Sequence, residues 1–158
     1  MEYKVKDVIK AIEDFAPLSL QEGWDNSGLC IGSPEDAVSS VLFGLDCTPE
    51  LVDEAVACGA DMIVTHHPLI FSGLKKISPD NKVGEAVIKA IRSGISIYAA
   101  HTSADKVIAG VSGAMAAKLG LVNVSILDED GEGTGLGVVG DLSEPLSADE
   151  AVSLVKER

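Results

Sequence analysis

Short β-branched apolar runs alternate along this chain with helical apolar periods, and the periods close on glycines, a rhythm that few folds accommodate. Val5, Val8, Ile9, Ile12 and Phe15 recur at helical spacing before Pro17 stops them. A loop follows, then a buried-strand pattern from Val38 to Asp46. Thr48-Pro49-Glu50 next caps a helix carrying Leu51, Val52, Ala55 and Val56 up to Gly59. The same unit recurs as the run Asp61 to Thr65, a polar loop, a helix from about Asn81 to Arg92 ending at Gly94, and the strand Ile95 to Ala100. Strands and helices alternating in this way predict an α/β fold, with βαβ units around a mixed, largely parallel sheet flanked by helices. Beyond it the sequence predicts a helix from Val111 to Lys118, strands at Val124 to Leu127 and Gly135 to Leu142, and a closing helix from Ala148 to Lys156. The acidic stretch Asp128 to Gly133 reads as a loop between those two strands.

With 158 residues, 46% of them hydrophobic, the chain can fill one full core, so a single domain over 1–158 is expected. Apolar runs such as Ile97 to Ala100 are far too short to cross a bilayer, and no leader pattern opens the chain, so a cytoplasmic protein is expected. Acidic residues outnumber basic ones 25 to 12, for a net charge of −13, and no basic cluster offsets them. Such a surface repels phosphate backbones and anionic lipid, which excludes nucleic acid and membrane as expected partners. Cys30, Cys47 and Cys58 are odd in number and form no C-x-x-C pair, which argues against disulfides and thiolate zinc and reads as small buried hydrophobes.

All three histidines follow strand patterns directly: His66 and His67 close Met62 to Thr65, and His101 closes Ile97 to Ala100. In a parallel α/β sheet the carboxyl ends of the strands form the ligand-binding edge, so both groups are expected to face one crevice. Alone, each reads as a polar strand-end residue; as a set with Asp105, four residues past His101, they read as a site for a divalent metal. Successive residues of an extended segment point to opposite sides, so His66 and His67 would serve two ions more easily than one. Asp46, at the end of the first strand, is expected either to orient a histidine or water or to cap the next helix. Trp24 beside Asp25 and Asn26 reads as an anchor of its loop to the core in preference to a stacking residue.

Other patterns carry less. Gly135-Leu136-Gly137-Val138-Val139-Gly140 matches G-x-G-x-x-G literally, yet no helix follows, and it reads as a glycine-rich strand. Asp128, Asp130 and Glu132 resemble the start of a calcium loop, but Val139 stands where a bidentate Glu is required. The sequence contains neither a G-x-S-x-G elbow nor a phosphate-binding loop of the G-x-x-x-x-G-K type.

The segments Trp24 to Leu29, Thr65-His66-His67-Pro68-Leu69-Ile70-Phe71 and His101-Thr102-Ser103-Ala104-Asp105, followed by Gly110 and Leu119-Gly120-Leu121, resemble the dinuclear metal-centre family labelled GTP cyclohydrolase type-two-like (NGG-one-interacting-factor-three-like). The resemblance runs from about residue 4 to the end. It implies a two-metal site with His66, His67 and Asp105 as ligands and His101 as a ligand or close neighbour. It also implies occupancy by zinc, iron or manganese and assembly of copies into a ring-shaped homo-oligomer. The family's pattern continues into a second lobe that supplies a further His and Glu, whereas no histidine follows His101 here. The chain therefore reads as the equivalent of the first lobe, with weaker metal affinity than a complete site. The expected function is metal-dependent hydrolysis of a small, nucleotide-like substrate; the alternative is a non-catalytic, regulatory metal-binding module that works as an oligomer.

Overall fold

The structure, a computed structural model, describes residues 2–158. It divides into two compact units, one extending to Ser103 and one from Ala104 to Arg158.

In the first unit, β1 (Tyr3–Lys4) leads into α1 (Val5–Phe15), where the Asp7 carboxylate accepts the Lys4 N–H at 2.9 Å and closes the helix start. A single 3-10 turn follows at Leu18–Leu20. Next come β2 (Gly28–Ile31), β3 (Ala37–Val38), β4 (Val41–Gly44), α2 (Pro49–Cys58), β5 (Met62–Thr65), α3 (Lys82–Ser93) and β6 (Ser96–Ala99). The helix punctuation read from the sequence operates as expected. Thr48 caps α2 by accepting from the Leu51 N–H, Asn81 caps α3 through Gly84, and Gly59 and Gly94 take the left-handed conformation that ends each helix.

The main sheet has the order β2-β6-β5-β4. β4, β5 and β6 run parallel, while β2 joins β6 antiparallel, which confirms a mixed, largely parallel sheet. β5 and β6 are buried at every position because both faces are covered. Ile63 and Ile97 pack with Val52 and Ala55 of α2 and Ala86, Val87 and Ala90 of α3. Met62, Val64 and Tyr98 point the other way, onto Val5, Val8, Ile9 and Ile12 of α1. Period-2 alternation on the strands thus feeds two cores.

The structure departs from the sequence reading at three places here. The run from Val38 to Asp46 is two strands broken at Ser39-Ser40, because the Asp61 carboxylate draws in both serine N–H groups, at 2.7 and 3.1 Å. The expected loop after α1 contains β2. Its Gly28 has φ of 110°, a conformation that L side chains rarely adopt, and this lets the chain turn into the strand. Cys47 is buried and Cys30 half-buried, but Cys58 is exposed, so it is no core hydrophobe.

α4 (Thr102–Lys106) crosses the boundary into the second unit, which continues with α5 (Val111–Leu119), β7 (Val122–Gly131), β8 (Thr134–Asp141) and α6 (Ala148–Glu157). β7 and β8 form an antiparallel hairpin. The acidic stretch is therefore largely strand: β7 runs on through Asp128, Glu129 and Asp130, and the turn is confined to Glu132 and Gly133. Lys106, almost wholly buried, ion-pairs with Asp130 at 2.5 Å, which relieves charge repulsion at that strand end and holds the Asp130 carboxyl below its usual range. The glycine-rich segment Gly135 to Gly140 lies within β8, as expected. Among the described residues, no helix is long and apolar enough to cross a membrane.

Ile63→Ala, at a fully buried position, is expected to lower unfolding stability by about 2–5 kcal/mol, read from urea denaturation. Burial, with the Cys30 thiol nearby, pushes the Cys47 thiol up to about 12, and burial pushes Cys30 to about 11. Raised thiol pKa values mean almost no thiolate near neutrality. Brief alkylation of the native protein at neutral pH should therefore label Cys58 first, as resolved by peptide mass spectrometry.

Candidate metal centre

Topology explains why the site forms where it does. Gly28 of β2 pairs with Ala99, the last residue of β6, and the two strands run in opposite directions. The loop entering β2 is thereby laid beside the residues leaving β6, and Trp24 to Ser27 meet His101 and Thr102. One strand over, β5 ends level with β6, and Thr65 pairs with Ala99. His66 and His67 emerge there.

The backbone that carries the paired histidines is held on several sides. His66 N–H donates to the Gly44 carbonyl at 3.3 Å, and His67 N–H donates to the Leu45 carbonyl at 3.0 Å. The Thr65 hydroxyl donates to the His67 carbonyl at 2.8 Å, which bends the chain just past the strand. That bend cancels the alternation expected of an extended segment. The two imidazoles do not face opposite sides; their ring centroids are 4.8 Å apart, and each lies near His101, at 5.1 Å from His66 and 5.5 Å from His67.

One ligand atom from each of His66, His67 and His101 lies within 4.8 Å of the others. Metal–nitrogen bonds of about 2.1 Å put two donors on one ion no more than about 4.2 Å apart, so these rings need to draw in by less than about 1 Å. Small side-chain rotations supply that. Three imidazoles form a donor set of borderline softness, and the arrangement can hold a metal ion.

Each imidazole is oriented through Nδ1. His66 Nδ1 meets the Ala100 carbonyl at 3.1 Å, His67 Nδ1 the Asp46 carboxylate at 2.8 Å, and His101 Nδ1 the Asp25 carboxylate at 2.8 Å. All three partners are acceptors, so each Nδ1 carries a proton, and in the neutral ring the lone pair falls on Nε2. Asp46 therefore fulfils the orienting role that the sequence left as one of two options.

Asp25 is the residue the sequence reading passed over. Its side chain has no exposed surface. Besides His101 it accepts from the Thr102 hydroxyl at 2.5 Å, the Thr102 N–H at 3.2 Å, the Ser27 hydroxyl at 2.8 Å and the Asn26 N–H at 2.6 Å. Burial alone would raise the Asp25 pKa. The hydrogen bonds from Thr102, His101, Ser27 and Asn26 outweigh it and hold the carboxyl well below the usual carboxylate range. The hydroxyls are themselves fixed, since Thr102 accepts from the Glu22 N–H at 2.9 Å and Ser27 from the His101 N–H at 3.3 Å. A run of four polar or aromatic residues closed by glycine, Trp24 to Gly28, was the available signal.

Asp105 lies in α4, half-buried, one helical turn past His101 in sequence and within the second unit. The three-histidine cluster does not include it. Trp24, expected as a core anchor, is instead 61% exposed, and its ring stands edge-on to His101 with centroids 6.3 Å apart.

Known proteins share this arrangement of chain. A Clostridium acetobutylicum protein named GTP cyclohydrolase 1 type 2 homolog is 40% identical over 99% of the chain, which covers 60% of that protein. A Streptomyces coelicolor protein of the same name is 40% identical over 98% of the chain, covering 56% of that protein. The chain thus spans somewhat under two thirds of the length of these curated relatives. Among solved structures, a Staphylococcus aureus hypothetical protein superimposes with a TM-score of 0.93 at 28% identity, over 98% of this chain and 63% of that one. Reduced HcgD from Methanocaldococcus jannaschii does so with a TM-score of 0.85 at 28% identity, over 99% of this chain and 60% of that one. The family profile described as Duf34/NIF3 (NGG1p interacting factor 3) matches residues 3–158, and the chain belongs to that family.

Proposed function

We propose that this chain binds a divalent metal ion through the Nε2 atoms of His66, His67 and His101 and forms the metal-binding part of a metal-dependent hydrolase. The observation that carries the reading is the convergence of three imidazoles whose Nδ1 atoms are all committed to acceptors. Asp105 is proposed as a further ligand on the sequence argument, and with it a second ion, up to two per site. A bound ion lowers the pKa of a coordinated water toward neutrality and steadies charge on the attacked group. The chain's own contribution is to hold the imidazoles in the ligating tautomer, through Asp25, Asp46 and the Ala100 carbonyl. The name carried by the Clostridium and Streptomyces relatives supports a small, nucleotide-like substrate for this chain as well.

A second reading is a non-catalytic metal-binding module that works through self-association. It is favoured by β4, an outer strand of the sheet on which Phe43 is 69% exposed, followed by an exposed Leu45. Assay of the metal-loaded protein on a panel of phosphoesters and GTP separates the two. Metal-dependent turnover abolished by His67→Ala supports the hydrolase; bound metal without turnover, in a protein larger than one chain by light scattering, supports the module.

Elemental analysis of protein purified without chelator should give at least one metal ion per chain, and a ratio near zero after reloading would overturn both readings. His67→Ala and His101→Ala should each bring that ratio close to zero. Asp25→Asn removes a charged acceptor behind His101 and should weaken metal affinity about 10–100-fold in a chain whose circular dichroism is native. Asp105→Asn tests the fourth ligand: a fall in metal content is expected, and unchanged content would remove Asp105 from the set. Chelation should lower the unfolding midpoint, because an ion that binds only the folded state stabilises it by mass action.

A further inference from the structure

Two large aromatic side chains stand in the open beside the imidazole cluster. Trp24 is 61% exposed and Phe71 is 51% exposed, with ring centroids 6.1 Å apart and planes inclined by 50°. Neither is needed by the core, and exposing an indole to water forgoes burial that a loop residue could easily gain.

Their placement is enforced. Asn26, two residues past Trp24, donates from Nδ2 to the carbonyl of Ile70, the residue before Phe71, at 2.6 Å. That single bond staples one aromatic loop to the other. Asp25, between Trp24 and Asn26, is buried and holds His101. Trp24, Asp25 and Asn26 thus do three things in succession: present a ring, orient an imidazole and tie down the backbone that leads to the second ring. The two loop segments are joined before any ligand arrives, which reduces the ordering cost of binding.

We propose that Trp24 and Phe71 form a recognition notch for a planar heteroaromatic ring, placed so that an oxygen-bearing substituent of that ring reaches the three-imidazole cluster. An aromatic ring stacks on a neighbour at centroid distances of about 4.5–7 Å, and Trp24 is 6.3 Å from His101. A ring laid against the indole therefore lies about one ring width from the imidazoles. Stacking tolerates any flat ring, while a net charge of −13 disfavours anionic ligands that lack a compensating cation. The notch gives affinity for the flat part of the ligand and the cluster receives its oxygen donor. This inference rests on the metal-centre reading only for the second contact; the stacking contact stands on the two aromatic side chains alone.

Trp24 is the one tryptophan in the chain, so it reports on its own contact. Zinc-loaded and metal-free protein would be titrated with guanosine, cytidine and pterin, with ribose as the non-aromatic control, while following tryptophan fluorescence. Saturable quenching by the ring-bearing compounds and none by ribose is expected. Phe71→Leu, which keeps the reporter, should weaken the apparent affinity about tenfold, and Trp24→Leu should abolish guanosine binding by calorimetry with zinc content unchanged. Tighter binding to the zinc-loaded form is expected; equal binding to both forms would overturn the second contact and leave the notch. Failure of every ring-bearing compound to quench, in protein of normal zinc content, would overturn the notch while sparing the metal reading. A Trp24→Leu protein that changes assembly size by light scattering but retains guanosine affinity would also overturn it, assigning the pair to contact between copies. Loss of zinc from wild-type protein that still binds rings would count against the metal reading alone.

Discussion

The buried Asp25 carboxylate is the interaction around which the site is built. An isolated carboxylate moved out of water is strongly disfavoured, and only a full set of donors makes such a position tolerable. Asp25 has that set from Thr102, Ser27, Asn26 and His101. Because these donors come from two separate stretches of chain, the charge holds the loop before β2 against the residues after β6. His101 takes its orientation from the same atom set. One ionised group thus ties loop position, imidazole tautomer and the location of Trp24 together.

The sheet makes this possible by its one irregular strand. A parallel neighbour would bring its own carboxyl end, not a strand-entry loop, to the end of β6. Antiparallel β2 places its own beginning there instead. The parallel strands β5 and β6 deliver histidines from their carboxyl ends, while β2 delivers the supporting carboxylate from its amino end. The ligand-binding edge of an α/β sheet is here supplied from both chain directions.

Much of this was legible in the sequence. Helix ends marked by Thr48, Gly59, Asn81 and Gly94 appear as read, because capping is a local event decided by a few adjacent residues. The three histidines were found because each follows an apolar strand run. What stayed hidden depends on contacts between distant residues. β2 is only four residues long and pairs with a strand about 70 positions away. Asp25 looks like a loop aspartate until Thr102 and His101 are folded against it. An extended chain would part His66 from His67, but the Thr65 hydroxyl bends the backbone and brings the rings together. By composition the acidic stretch looks like a loop, whereas pairing with β8 and the Lys106 partner of Asp130 extend it as strand.

The three imidazoles lean on unlike acceptors: a fully enclosed carboxylate behind His101, a water-exposed carboxylate behind His67 and a neutral peptide oxygen behind His66. Electron donation through the ring scales with the charge of the acceptor and with how little solvent shields it. The cluster is consequently graded, strongest on the His101 side and weakest on the His66 side. An ion seated among them would meet three imidazoles of unequal donor strength.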